Sequence, residues 1–258
     1  MESSAVNIDV PKYEDYVDSM VAFIDILGFD SKVRAIKSKD DFLRVAALLA
    51  ALKATADSFD GKDPLLKDFT ITAISDSVII TIPYSSPICT LAILLLIQKI
   101  QYDLIATNFK TLMRGYLSRG YVYHKNQIVL GKGYSDAYKK EQQIGHAPRV
   151  VIDPQVIAAG KKAVENYKGS NKDVDHIFNH LIRDASDGYY FVDYLKPLSF
   201  QTGMISKEFI EERDGLKTFT KNSLIQHKND EKIVRVYEWL NNYISLTEHY
   251  LQGNNKTP

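Results

Sequence analysis

The sequence predicts an α+β fold built on a ferredoxin-like βαββαβ core, and three features carry that expectation. A short apolar run at residues 21–27, closed by Gly28, reads as a central strand buried on both faces. Two β-branched runs, residues 69–74 and 78–82, flank Ser75-Asp76-Ser77 as a hairpin. Long apolar stretches at helical spacing lie before and after that hairpin.

The elements follow in order. Residues 41–59 are rich in Ala and Leu and predict a helix, and Pro83 stops the second hairpin strand. Residues 87–109 form a second long apolar helix, with Pro87 tolerated in its first turn. Residues 112–123 alternate as a long strand, and Lys125-Asn126 makes a turn into a short strand at 127–130. A helix at 133–143 and a strand at 150–152 complete the pattern. After Pro154, residues 155–167 and 174–184 read as helices, 189–194 as an aromatic strand and 203–251 as mainly helical, with an amphipathic stretch at 233–251. With no Pro/Gly/Ser-rich linker, the expected organisation is a single domain. It comprises an N-terminal extension (1–18), a core (19–153), a helical C-terminal elaboration with one further strand (154–251) and a disordered tail (252–258).

Composition narrows the partners. In 258 residues, Lys+Arg and Asp+Glu both number 32, so no net charge draws the chain toward nucleic acid or an anionic membrane. Small ligands or other proteins are the expected partners. A lone cysteine, Cys89, excludes an intrachain disulfide and fits a reducing compartment. The first 18 residues lack a basic segment leading into an apolar core, so no secretory signal is expected. The most apolar stretch, 88–97, is about half the roughly 20 residues that span a bilayer. A cytoplasmic protein with no membrane association is expected.

Two carboxylates stand out. Asp25 sits among residues that should be buried, where an ionised carboxylate costs several kcal/mol unless paired, hydrogen-bonded or metal-bound. Asp76 occupies the hairpin turn, a position that aspartates also fill for conformational reasons. In a ferredoxin-like sheet the first and third strands are antiparallel neighbours. The end of one and the start of the other therefore share an edge, beside the small Gly28-Phe29 loop. Carboxylates, phosphate oxygens and water form the ligand set that Mg²⁺ or Mn²⁺ prefers, so the pair suggests a two-metal phosphoryl-transfer site. A buried Asp25 that only accepts backbone N–H bonds is the alternative reading.

These segments resemble the class III nucleotide cyclases, and more closely the pyrimidine cyclases of bacterial Pycsar anti-phage systems. Val21-Ala22-Phe23-Ile24-Asp25-Ile26-Leu27-Gly28-Phe29 is similar to the first metal motif, F-x-D-I-x-G-F. Ile74-Ser75-Asp76-Ser77 matches the second metal hairpin, and Arg114-Gly115-Tyr116-Leu117-Ser118-Arg119-Gly120 takes the place of R-I-G-I-H-x-G. Residues 131–141 correspond to G-x-x-V-N-x-A-x-R-x-E, and the resemblance covers about residues 20–153.

The resemblance implies that Asp25 and Asp76 hold two divalent ions and that backbone N–H groups of Ile26, Leu27, Gly28 and Phe29 hold the terminal phosphates. It also implies a homodimer with composite sites, each metal pair facing the partner's Ser135/Lys139 helix. The family Asn and Arg that steady ribose and transition state fall on Ser135 and Lys139, and Lys lacks the planar two-pronged donor of Arg. The base-reading positions fall on Thr72 and Ile128, where purine cyclases carry long polar groups. A pyrimidine triphosphate, UTP before CTP, is therefore the expected substrate, with the cyclic product sensed by a separate effector. Arg114 and Arg119 lie on opposite faces of one strand, so at most one, Arg114, faces the site.

Other signals are weaker. His176 and His180 have metal-pair spacing, but a solvated helix face is the simpler reading. Ser118 and Cys89 lack a hydrolase context, and Gly131-Lys132-Gly133 lacks P-loop spacing. Two further functions stay open from sequence: a catalytically silent cyclase-like module that binds a nucleotide or protein, and a purely structural interaction domain.

Overall fold

The computed structural model describes residues 11–57, 69–106, 110–167, 173–196 and 207–254. After a short 3-10 turn come β1 (Val17–Ile26), α1 (Phe29–Arg34), α2 (Lys39–Asp57), β2 (Thr70–Ile74), β3 (Ser77–Pro83), α3 (Ile88–Ala106) and β4 (Met113–Lys125). Next are β5 (Ile128–Leu130), α4 (Lys132–Gln143), β6 (Val150–Ile152), α5 (Pro154–Tyr167) and α6 (Asp173–Leu181). The chain closes with β7 (Ile182–Asp184), β8 (Tyr190–Val192), α7 (Lys207–Gln226) and α8 (Glu231–Asn254). The sheet order is β2-β3-β1-β4-β6-β8-β7, with β5 paired to β4. Its first four members have the ferredoxin-like arrangement; β1 is antiparallel to β3, as expected, and also to β4.

Strand alternation divides the residues of β1 between two layers. Met20, Ala22, Ile24 and Ile26 join Val78, Ile80 and Ile82 in the large core, beneath α2, α3, α5 and α6. Val21 and Phe23 join Ile79 and Val122 on the opposite face, where Ala137 and Tyr134 of α4 cover them. Each fully buried aliphatic side chain contributes about 1.5–3 kcal/mol to holding these layers. By length and composition α3 could cross a membrane, but it is buried over most of its length here, the mark of a core helix.

The approach of α4 to β4 is set by two glycines. A Cβ on Gly133 would lie 2.9 Å from the Gly120 carbonyl oxygen, and one on Gly120 would lie 3.1 Å from the Gly133 Cα. Ser118 Oγ donates to the Gly133 carbonyl at 2.8 Å, which pins the helix start to the strand and explains that serine without hydrolase chemistry.

The C-terminal helices dock through Leu216, Leu240, Tyr243 and Ile244 onto Phe191 and Tyr194. Asp193, fully buried, anchors the joint. It accepts from the Tyr243 hydroxyl at 2.5 Å and from Arg183 Nε at 2.8 Å, with the Lys196 ammonium 3.3 Å away.

Several expected boundaries shift for physical reasons. β1 begins at Val17, because Asp18 is held by Arg119 (2.6 Å) and so tolerates a strand position. Helix α1 was not expected from its six residues; it follows Gly28, whose φ of 73° turns the chain into it. The β4–β5 turn is Asn126-Gln127, both at positive φ (49° and 64°), one residue later than expected. Residues 174–184 are a helix followed by strand β7, which hydrogen-bonds β8. The amphipathic final helix runs through Asn254, taking in the first residues of the expected tail, and 255–258 lie outside the described residues.

His180 is buried, with Nε2 3.1 Å from the Lys196 carbonyl oxygen, so its expected place on a solvated face is corrected. His176, whose ring centre is 6.2 Å away, is exposed.

Candidate active site

The pairing of β1 brings its carboxylate to one rim of the sheet. Asp25 lies opposite Ser77 of β3 on one side and Arg114 of β4 on the other. The tight β2–β3 turn, with Ser75 at φ 56°, carries Asp76 alongside. A main-chain bond from Ile26 N–H to the Asp76 carbonyl (2.9 Å) fastens the turn to the strand end. Asp25 and Asp76, 51 positions apart by their numbers, are thus electrostatic neighbours.

The electrostatics are those of crowded acids. Burial, then repulsion from Asp76, pushes the Asp25 carboxyl up to about 6, with Glu141 adding to the rise. Arg114 and a weak 3.4 Å hydrogen bond from Ser77 Oγ pull the other way. Arg114 spans the group: its Nη2 is 3.6 Å from Asp25 Oδ2 and its Nε is 2.5 Å from Glu141 Oε1. That second contact is a close ion pair off the hydrogen-bond line, since neither atom has a hydrogen-bond partner among the described residues. Burial also raises the carboxyl of the fully buried Glu141, against the opposing pull of Arg114 and Gln142. Arg114 Nη1 donates to His146 Nδ1 at 3.1 Å, so the neutral ring carries its proton on Nε2.

Among the described residues, no three His, Cys, Asp or Glu side chains cluster closely enough to hold a metal alone. Two convergent carboxylates nevertheless fit the hard, oxygen-loving Mg²⁺ or Mn²⁺, which commonly takes one or two carboxylates and completes its shell with water and substrate phosphates. Their mutual repulsion is the kind a divalent cation relieves.

The expected phosphate-holding amides need a correction. Ile26 N–H is engaged by Asp76, and Leu27 N–H donates to the Leu112 carbonyl at 2.9 Å. Neither is open to a ligand. The amides that can meet an anion begin at Gly28 and Phe29 and continue into the first turn of α1, where helical geometry leaves N–H groups without intrahelical partners.

Arg114 stands where expected, beside Asp25, while Arg119 serves elsewhere: it binds Asp18 and lies 3.5 Å over the Tyr84 ring. Among the described residues, no hydrogen bond or ion pair links Ser135 or Lys139 to either aspartate. Lys139 is exposed on α4, about half a helical turn from the inward-facing Glu141.

Thr72 shares the sheet face of Asp25, since Asp25 pairs with Ser77, Ser77 with Ile74, and Thr72 lies two residues earlier on that strand. Its hydroxyl is bonded to His124 Nε2 at 2.8 Å, and Thr81 Oγ1 bonds Nδ1 at 2.9 Å. Ile128, expected as the companion of Thr72, is instead 42% exposed on β5, and the residue lining a small cleft with Thr72 is its neighbour Gln127.

Two residues of this region were missed as participants. Glu141 closes the sequence motif but was given no role, although its buried position on α4 aims it at Arg114. His124 shares parity with Arg114 along β4, a signal that would have placed it on the site face. Burial pushes its imidazole down to about 4, so it is neutral between its two threonines.

No protein-family model matches the chain, and no curated protein does. Solved structures give distant likenesses. The adenylyl cyclase CyaB from P. aeruginosa is 14% identical, over 56% of this chain and 81% of that one, with a TM-score of 0.45. The guanylyl cyclase domain of the RhoGC fusion protein from the aquatic fungus Blastocladiella emersonii is 16% identical, over 69% and 95%, with a TM-score of 0.45. An adenylate/guanylate cyclase/hydrolase from Silicibacter pomeroyi is 12% identical, over 68% and 94%, with a TM-score of 0.39.

Proposed function

We propose that the protein is a metal-dependent nucleotide cyclase that converts a pyrimidine ribonucleoside triphosphate, UTP in preference to CTP, to its 3′,5′-cyclic monophosphate and pyrophosphate. The observation that carries this reading is the convergence of Asp25 and Asp76 at one rim of the sheet, laced by the Ile26–Asp76 bond, next to the Gly28 turn.

In this reading two divalent ions, Mg²⁺ or Mn²⁺, are held by Asp25 and Asp76. Bound there, they supply Lewis acidity toward the ribose 3′-hydroxyl and neutralise phosphate charge. The 3′-oxygen forms a bond to the α-phosphorus as the bond to the bridging oxygen breaks. Pyrophosphate leaves, and the hydroxyl proton passes to solvent. Amides from Gly28 into α1 orient the terminal phosphates, and Arg114 keeps Asp25 and Glu141 compatible at close range. Positioning and charge stabilisation make up the protein's share of the catalysis.

The composite homodimer is part of the same proposal. Ser135 and Lys139 of the partner subunit would complete each site, steadying ribose and the α-phosphate. Exposed Ile74, Tyr121, Leu130 and Tyr138 around α4 and the hairpins supply apolar area for such an interface. Preference for a pyrimidine rests on Thr72 at a base-reading position, short and backed by neutral His124. The cytoplasm is the proposed location. A role in anti-phage defence, through a separate effector sensing the cyclic product, is the furthest extension of this reading.

The test is incubation of purified protein with each of the four ribonucleoside triphosphates and Mn²⁺. Cyclic UMP and pyrophosphate are expected in equal amounts; no cyclic product from any triphosphate would remove the enzyme. Ser135 and Lys139, in place of Asn and Arg, favour one second reading, a silent module that binds nucleotide without turnover, and the same incubation separates the two.

A further inference from the structure

A cavity of about 460 Å³ lies between the β1–α1 turn, the approach to β4 and helices α7 and α8, within the size range of small-ligand sites. Its charge is one-sided. Lys32, Lys110, Lys232, His146 and His227 line it, and no carboxylate among the described residues does, in a chain whose formal net charge is zero. Helices α7 and α8 add apolar lining through Phe219, Ile233, Val236 and Tyr237, with the His227 ring stacked on Tyr237 at 6.5 Å and 15°.

An independent observation also points to a ligand. Thr111 lines this cavity and a neighbouring one of about 290 Å³. The residue is 2% exposed, and its hydroxyl has no hydrogen-bond partner among the described residues. A buried hydroxyl left unbonded costs about 1–3 kcal/mol, a penalty that a ligand acceptor at this wall would remove.

We infer that this cavity binds a phosphorylated, ring-bearing small molecule of the nucleotide class, in a site that adjoins the metal centre at the Gly28 turn but is not lined by its carboxylates. The lysines and His146 face the phosphate. The aromatic wall takes the ring, and Thr111 bonds a polar atom between them. His146 also accepts from Arg114, the partner of Asp25, so an occupant would touch the network that sets the metal carboxylate. Most of the ring wall comes from the C-terminal helices, which gives those helices a task the core does not explain.

The chemistry has two sources: a free nucleotide, or the polyphosphate tail of a triphosphate bound at the metals. Calorimetry in EDTA on the full chain carrying both Asp25→Asn and Asp76→Asn distinguishes them, with UMP, AMP, UTP and inorganic pyrophosphate as probes. Binding of the monophosphates is expected, weakened at least tenfold by Lys232→Glu and, separately, by Tyr237→Ala, with unchanged far-UV circular dichroism. Thr111→Val, the mildest change, should weaken binding severalfold without altering the unfolding midpoint by more than a few degrees. Binding of only UTP and pyrophosphate, equal affinity for pyrophosphate and monophosphates, or heats indifferent to Lys232→Glu and Thr111→Val would each overturn the assignment. Because the metal carboxylates are absent, the outcome is independent of whether the protein cyclises anything.

Discussion

The main-chain N–H of Ile26 donates to the carbonyl of Asp76 at 2.9 Å, joining the residue after one acidic side chain to the residue that bears the other. Geometry at this rim is therefore set by backbone, which side-chain substitution leaves in place. Asp25→Asn and Asp76→Asn should each lower cyclisation at least 100-fold while retaining the fold, as read by product formation and near-UV circular dichroism.

The raised carboxyl of Asp25 gives a pH signature in metal-free protein. Its native value of about 6 exceeds the ordinary 3.8, so the native state holds this proton more tightly than the unfolded chain. Its contribution to stability is most favourable below pH 3.8, declines as pH rises toward 6, and stays at its least favourable above that. In EDTA at pH 7.5, Asp25→Asn should therefore be more stable than the parent by about 1 kcal/mol, a figure discounted for the partial solvent exposure of the group. Denaturant midpoints measured at pH 4 and pH 7.5 check this, and an equal difference at both would contradict it.

His124 titrates with the opposite consequence. Its native value, near 4, lies below the ordinary 6.5, so the unfolded chain takes up the proton first as pH falls. Stability should decline from pH 6.5 toward 4, by no more than about 1.4 kcal/mol per pH unit. His124→Gln, which retains polar groups near Thr72 and Thr81, should flatten that slope in urea unfolding.

Asp193 is the joint between core and C-terminal helices. Asp193→Ala would leave Arg183 and Lys196 beside a cavity without their counter-charge, and a loss of about 3–5 kcal/mol is expected. Thermal unfolding measures it, and a change under 1 kcal/mol would show that the Asp193 contacts are not what holds α8.

Composite sites make a separate prediction. Mixing Asp25→Asn subunits with Lys139→Ala subunits should restore activity that neither has alone, since one mixed site keeps all its groups. A mixture as inactive as its components would place the whole site within one chain.

The core was legible because its signals are local: an apolar run ending in glycine, and a polar turn between β-branched strands. Asp25 and Asp76 were legible for the same reason, since strand order alone brings them together. What escaped were features that depend on reach across the sheet. His124 meets Thr81 on β3 and Thr72 on β2, two and three strands away from β4, and nothing in the local sequence announces that reach. Ile26 and Leu27 offered amides on paper, but their neighbours Asp76 and Leu112 claim them once the strands pair. β7 was hidden in a helical pattern because three residues beside β8 suffice to make it a strand.

The most direct measurement is a Mn²⁺ titration followed by electron paramagnetic resonance, in the presence of a non-cyclisable 3′-deoxy UTP. Saturable Mn²⁺ binding to the parent, lost in both Asp25→Asn and Asp76→Asn, is the expected result. Binding that survives either substitution unchanged would contradict a shared cation site.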